Sequence, residues 1–363
     1  MFLNSFLRAA AVSSLLYSTT SAQDACNNSP ALCSRAYNNI THLGAHDSPF
    51  LRDASTSFST SGNQYYNTTI QLEAGVRLLS AQVHQKNDSG TTAWHLCHTS
   101  CDLLDAGPLE TWLREIKTWM DANPTDVVTV LIVNSDNASP ATLGAQFSAS
   151  GIDQYAYTPP SSTTIPQTWP TLSNLISNNT RLVTFVASLS SPSPTHPYLL
   201  DQFAFQFENA YENTHPSNYS CVPSRPSAVA GDPAAALSSG RMFLMNHFLY
   251  DDSLFGIQQP NASYAHVTNA ATGFGSLGAR IRNCTAVYAG TPPAFVMVDF
   301  FNVGPAMDSV DAANGVLGAT SGRRSVSTAA VTQGSAGTGV AGRKDGSMLA
   351  VVVAVLVAVA FAS

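Results

Sequence analysis

Short runs of apolar and β-branched residues punctuate the chain, separated by stretches with helical periodicity or turn-forming composition. The runs at 39–46, 77–84, 93–98, 127–134, 181–188, 203–209, 242–248 and 294–301 each read as a strand. Between the third and fourth, Leu109, Trp112, Leu113, Ile116 and Met120 recur at helical spacing, with Pro108 suited to the first turn and Asn123-Pro124 to the stop. A second helix is expected over Thr171 to Asn178, which places Leu172, Leu175 and Ile176 on one face. Alternation of strand and helix through one domain predicts an α/β fold, a parallel sheet closed into an irregular TIM-type (β/α) barrel. One connection resists the pattern. Residues 85–92 are too few for a parallel crossover, which takes about a dozen or more. Either the barrel is irregular there or one of the runs lies outside it.

Both ends of the chain carry processing signals rather than fold. Residues 1–22 read as a secretory signal, with Arg8 ahead of an apolar stretch and small residues at the close. Residues 348–363 are almost wholly apolar, yet shorter than the roughly 20 residues a membrane-spanning helix needs. Ahead of them lie a small-residue site at Gly334-Ser335-Ala336-Gly337 and a polar spacer with Arg343, Lys344 and Asp345. Together these match a glycosylphosphatidylinositol (GPI) attachment signal. A single-pass helix is the competing reading. The Ser/Thr/Gly/Ala-rich stretch 316–347 reads as a stalk, which leaves residues 23–315 as one barrel domain.

Charge and cysteine content narrow the class further. A net charge of -7 with only 16 Lys plus Arg offers no basic surface for nucleic acid. Six cysteines in a secreted chain read as disulfides. Proximity suggests Cys26 with Cys33 and Cys97 with Cys101, leaving Cys221 for Cys284. Zinc at Cys97 and Cys101 with His95 and His98 is the alternative, disfavoured by an oxidising compartment. Asn-x-Ser/Thr sequons at Asn27, Asn39, Asn67, Asn87, Asn137, Asn178, Asn218, Asn261 and Asn283 fit an extracellular glycoprotein.

Barrel enzymes gather their chemistry at the C-terminal ends of the strands. His46 and Asp47 end the first run, and Ser80, Gln82 and His84 alternate along the second. His98 ends the third, Glu208 and Asn209 the sixth; Asn246 and His247 come late in the seventh, and Asp299 in the eighth. Two histidines and two acids suffice for a general base and a general acid. His84 and His95 read as structural or surface groups, while His247 is open to either reading. His196, His215 and His266 sit in polar loops and read as solvated. Trp112 and Trp119 belong to helix packing, and Phe203, Phe205 and Phe207 alternate as strand residues filling core between barrel and helices.

The motifs GAHDSPF at 44–50, Gln71-Leu72, Gly75-Val76-Arg77-Leu78, LCHTSC at 96–101, the long run LLDAGPLETWLREIKTWMDANPTDVVTVLIVN that follows it, and VMVDFF at 296–301 occur in order. Over residues 36–303 the chain resembles the X-domain of phosphatidylinositol-specific phospholipases C, in the metal-independent bacterial branch and more closely in secreted fungal PLC-like phosphodiesterases. The resemblance implies that His46 is the general base for an inositol 2-hydroxyl and His98 the general acid for the leaving diacylglycerol oxygen. It also implies that Asp299 supports His46, that Asp47 supports His98, and that Glu208 contacts the headgroup hydroxyls. No metal or other cofactor is implied. The implied ligand is a phospholipid or glycolipid headgroup, met at an outer cell surface to which the chain is lipid-anchored.

The chain departs from that family at two substrate-facing positions. Bacterial members carry an Asp and an Arg on the second strand, where this sequence has Ser80 and Gln82. The calcium-dependent relatives use carboxylates there, and none occurs from Val76 to Lys86. A fixed cation at a phosphoryl transition state is worth orders of magnitude in rate. Two expectations follow: a metal-independent phosphodiesterase, or a weak or inactive barrel that binds inositol phosphate or glycan at the cell surface.

Overall fold

The computed structural model describes residues 25–88, 90–251 and 258–333. The expected signal sequence at 1–22 and the expected attachment signal from 334 onward lie outside them. Along the chain run β1 (His42–Ala45), β2 (Leu78–Asp88), β3 (Thr91–Cys97), β4 (Asp105–Pro108), β5 (Val128–Asn134), β6 (Leu182–Ala187) and β7 (Leu199–Asp201). They are followed by β8 (Gln206–Asn209), β9 (Pro223–Arg225), β10 (Met242–Asn246), β11 (Tyr250–Asp251), β12 (Gln259–Pro260) and β13 (Phe295–Val298).

Parallel pairing in the order β7-β6-β5-β2-β1-β13-β10-β8 curls the sheet into a barrel, with antiparallel β9 on the edge of β8. Two apolar clusters divide the strands by residue parity. Leu78, Leu131, Val183, Phe185, Leu244, Phe295 and Met297 pack within one cluster, in the lumen. Their neighbours Leu79, Ala81, Val130, Ile132 and Val296 belong to the other cluster, together with Leu113 and Ile116 of the helix Leu109–Ala122. A fully buried leucine of this kind contributes about 1.5–3 kcal/mol by leaving water.

The run at 93–98 is the one outside the barrel. It forms β3, antiparallel to β2 with His84 opposite His95, and so the short connection needs no crossover. The missing barrel strand is β7, three residues long, too short to announce itself by periodicity. The expected strand at 203–209 is also corrected. The Asp201 carboxylate accepts the Ala204 amide at 3.1 Å and caps a helical turn, Gln202–Phe205, before β8 begins. Phe205 therefore joins the lumen and Phe207 the outer layer, while Phe203 lies 5.1 Å beneath the Arg225 guanidinium. The second expected helix is present as Leu172–Ser177, capped by Thr171.

Residues 316–333, assigned by composition to a stalk, instead run against the barrel. The Ser321 amide donates to Asn28 O at 2.9 Å and the Arg324 amide to Glu73 O at 2.8 Å. Arg323 donates to both oxygens of Asp311 at 2.6 and 2.9 Å, and Asn302 Nδ2 to Ser327 O at 2.8 Å. Arg323 crosses so close to Gly75 (φ +107°) that a Cβ there would lie 2.6 Å from its Nε. Small polar composition predicts a loose segment, and Arg323 on the buried Asp311, with Arg324 paired to Glu73 at the surface, overrides it.

Candidate active site

Strand β1 delivers His46 and Asp47 into a turn at the mouth of the barrel. Asp47 takes a left-handed conformation (φ +48°), held because Ser80 Oγ accepts its amide at 2.8 Å while the Ser48 amide donates to Ser80 O at 2.8 Å. Ser80 thus lines the pocket and fixes the turn as well. His46 Nδ1 donates to Asp299 Oδ1 at 2.9 Å, just past β13. Its ring lies flat on Phe248, with centroids 3.8 Å apart and planes within 5°, and Tyr250 stands edge-on at 6.5 Å.

His98 arrives from the other side, at the end of β3. The Cys97–Cys101 disulfide closes its loop, the His98 amide donates to Leu104 O at 2.9 Å, and Phe50 meets the ring edge-on at 5.4 Å. Both Nε2 atoms converge on one oxygen: Asp47 Oδ2 lies 3.6 Å from that of His46 and 3.8 Å from that of His98. Gln82 bridges the two sides, its Nε2 donating to Asp47 Oδ2 at 2.7 Å and its Oε1 accepting the Thr99 amide at 2.9 Å. Asp47 therefore faces both histidines rather than His98 alone.

The protonation of the pair is split by its surroundings. Burial alone depresses His46, but the carboxylates of Asp47 and Asp299, with Glu208 beyond, outweigh it and raise the pKa above the ordinary histidine value. For His98, burial dominates; Asp47 opposes it, His46 reinforces it, and the pKa falls. In the free site His46 is the more readily protonated member.

Glu208 closes the far wall, buried, with its pKa raised by burial against the counter-pull of Arg225. Register places Glu208 opposite Arg225 on β9, and the two are ion-paired. The Arg225 guanidinium lies over the Phe203 and Tyr211 rings at 5.1 and 4.6 Å. The cavity enclosed by His46, Asp47, Gln82, His98, Glu208 and Arg225 measures about 300 Å³, at the small end of ligand pockets, about 300–1,000 Å³.

The remaining histidines fall elsewhere. His247 is fully buried, its Nε2 3.0 Å from Thr268 O and its ring stacked on Tyr219; burial pushes its pKa down to about 3. His84 faces Asp136 and His95 faces Asp105 on the β2–β3 arm. His215 and His266 are exposed, as expected, but His196 is half-buried against Gly144, where a Cβ would meet its ring at 2.3 Å. The three disulfides join Cys26–Cys33, Cys97–Cys101 and Cys221–Cys284, which removes the zinc alternative at Cys97 and Cys101. Among the described residues, no group of three or more His, Cys, Asp or Glu side chains is arranged for a metal ion. Arg225, Phe248, Tyr250, Asn63 and Gln64 escaped the sequence reading. Phe248 closes the apolar run at 242–248, which marks it only as a strand residue, and the other four sit in no periodic pattern or motif.

Comparison with known proteins agrees with this architecture. The PI-PLC X family profile (PI-PLC X 1) matches residues 32–314. The PI-PLC X domain-containing protein 1 of Arthroderma benhamiae is 38% identical over 297 residues, covering 81% of this chain and 91% of that protein. An uncharacterized secreted protein of the same fungus is 37% identical over 288 residues, 78% of this chain and 62% of its own length. The fold matches phosphatidylinositol-specific phospholipase C from Listeria monocytogenes, with a TM-score of 0.51 at 15% identity over 78% of this chain and 96% of that one. A barrel of this type, a profile spanning nearly all of it and a relative of similar length and identity place the chain in the PI-PLC X domain family.

Proposed function

We propose that this protein is a phosphodiesterase with phospholipase C-like chemistry, acting without a metal on a phospholipid or glycolipid headgroup. The observation that carries the reading is the convergence of the His46 and His98 Nε2 atoms on Asp47 Oδ2 inside a headgroup-sized cavity. Cleavage of a phosphodiester by a neighbouring hydroxyl needs one proton removed from the nucleophile and one delivered to the leaving oxygen. In the family's arrangement His46 takes the first and His98 gives the second. Asp299 fixes the His46 tautomer with the proton on Nδ1, which frees Nε2 to accept. Glu208 and Arg225 supply an acceptor and donors for a polyol on the opposite wall.

Electrostatics supports a slow enzyme. The free site favours the opposite protonation, with the proton on His46, so the productive form with neutral His46 and protonated His98 is a minority. Gln82, in the place of the family's arginine, is engaged with Asp47 and Thr99. These same features sustain the second reading, a weak or inactive headgroup-binding module. The disulfides and a secreted relative fit an extracellular setting, and we read the C-terminal signal as a lipid anchor to the outer cell surface. The deciding experiment is turnover of phosphatidylinositol and other phosphodiester headgroups by the purified protein, with and without chelator. Release of a phosphorylated headgroup unaffected by chelator is the expected result. Headgroup binding with no cleavage would leave the module, and loss of activity with chelator would remove the metal-free mechanism.

A further inference from the structure

We propose that Asn63 and Gln64 are positioning residues that hold the turn carrying His46 in register with the turn carrying Asp299. Both side chains are fully buried and neither lines the pocket. They sit on the irregular segment between β1 and the helix Thr68–Glu73, tied down by their amides to Phe50 O at 2.9 and 3.1 Å.

From there the dipeptide reaches both turns. Gln64 Nε2 donates to His46 O at 2.8 Å and to Val298 O at 3.1 Å, and its Oε1 accepts the Phe301 amide at 3.1 Å. Asn63 O accepts the Phe300 amide at 2.8 Å. Asn63 Nδ2 donates to Asp299 Oδ1 at 2.9 Å, the oxygen that also accepts from His46 Nδ1, and the two nitrogens lie 3.2 Å apart. Two donors therefore converge on one carboxylate oxygen. That fixes both the carboxylate plane and the imidazole tautomer.

The segment needs holding. Phe300, next to Asp299, is left-handed (φ +46°), a conformation costly for an aromatic residue and retained only where the surroundings over-determine it. Asn269 Nδ2 contributes by donating to Asp299 O at 2.9 Å and Phe300 O at 3.1 Å, but it does not touch His46. Only the Asn63-Gln64 pair bonds to both turns among the contacts described above. The groups facing His46 are Asp47 from its own turn, Asp299 beyond β13, His98 beyond β3, Glu208 on β8, and the rings of Phe248 and Tyr250.

The kinetic consequence rests on the phosphodiesterase reading; the spectroscopic one does not. In the full chain, Asn63→Ala and Gln64→Met are expected to lower the His46 titration midpoint and broaden its Nδ1–H proton resonance. Asn63→Asp, nearly isosteric, adds a carboxylate beside the ring to those of Asp47, Asp299 and Glu208 and is expected to raise that midpoint. Opposite shifts are something a purely structural role would not give. Asn134→Ala, which removes another buried clamp, one between Asn134 and Ala138, is the control and should leave His46 unmoved. With phosphatidylinositol in mixed micelles, Asn63→Ala should lose about 10- to 100-fold in kcat with KM nearly constant, as loss of an orienting partner does. An unchanged His46 resonance in folded Gln64→Met and Asn63→Asp proteins, or shifts of one sign throughout, would overturn the proposal. No turnover by the unsubstituted protein would sink the phosphodiesterase reading while the resonances still decide this one.

Discussion

His46 Nδ1 donates to Asp299 Oδ1 across 2.9 Å, joining residues 253 positions apart. Because the carboxylate holds the imidazolium, Asp299→Asn should lower the His46 pKa. In a pair whose base is the more basic member, rate against pH forms a bell. The alkaline limb follows the higher midpoint, His46, and the acidic limb the lower, His98. Asp299→Asn should therefore bring the alkaline limb down and narrow the bell. A pH-rate profile measures it, and an alkaline limb that stays in place would remove Asp299 from this role.

Each histidine is assigned a proton-transfer task of its own. His46→Ala and His98→Ala should each reduce kcat by about 10²- to 10⁴-fold, the usual worth of a general acid or base. Steady-state turnover decides this. Full activity in either variant would remove that residue from the mechanism.

Under the proposed function, Gln82, which lines the pocket, stands where the family's arginine would face the phosphate. Gln82→Arg keeps a donor for Asp47 and adds a fixed positive charge, so turnover should rise, on the order of 10²-fold if charge neutralisation is what limits it. Turnover that is unchanged while headgroup binding persists would favour the binding module.

Two buried neutral histidines make the fold acid-sensitive. Burial lowers His42 to about 4 and His247 to about 3. Depressed histidine pKa values mean that the unfolded chain binds more protons below pH about 6.5, so stability falls as pH drops from there toward 4. Each group costs roughly 1.4 kcal/mol per pH unit in that window. Denaturant unfolding at pH 7 and pH 4.5 should register the loss, and His247→Phe should flatten it if the mutant folds. An equal slope in that variant would exonerate His247.

The Cys221–Cys284 bridge closes a loop of 63 residues containing β9, β10 and the unit that precedes β13. Removing it by a paired Cys→Ser change should cost about 4 kcal/mol by the chain-entropy account, more than loss of either short bridge. Thermal melts of the variants rank them. A larger loss from Cys26–Cys33 would contradict the loop-length argument.

The sequence by itself determined the α/β barrel class, the position of most strands, the disulfide partners and the two histidine motifs. Local information suffices for these. Apolar runs of strand length, the helical spacing from Leu109 to Met120 and two cysteine pairs a few residues apart all act over short stretches of chain, and Cys221 and Cys284 are the two cysteines left over. Tertiary structure decided what depends on distant segments meeting. Strand β7 exists because three residues find an edge beside β6, and Gln202–Phe205 is helical because Asp201 caps it. Arg225 enters the pocket because β9 pairs antiparallel with β8. The sharing of Asp47 between His46 and His98, and the clamp of Asn63 and Gln64 on Asp299, arise from side chains on different loops meeting at one end of the barrel. Hydrogen bonds of that kind carry no periodicity, and only the folded chain places them.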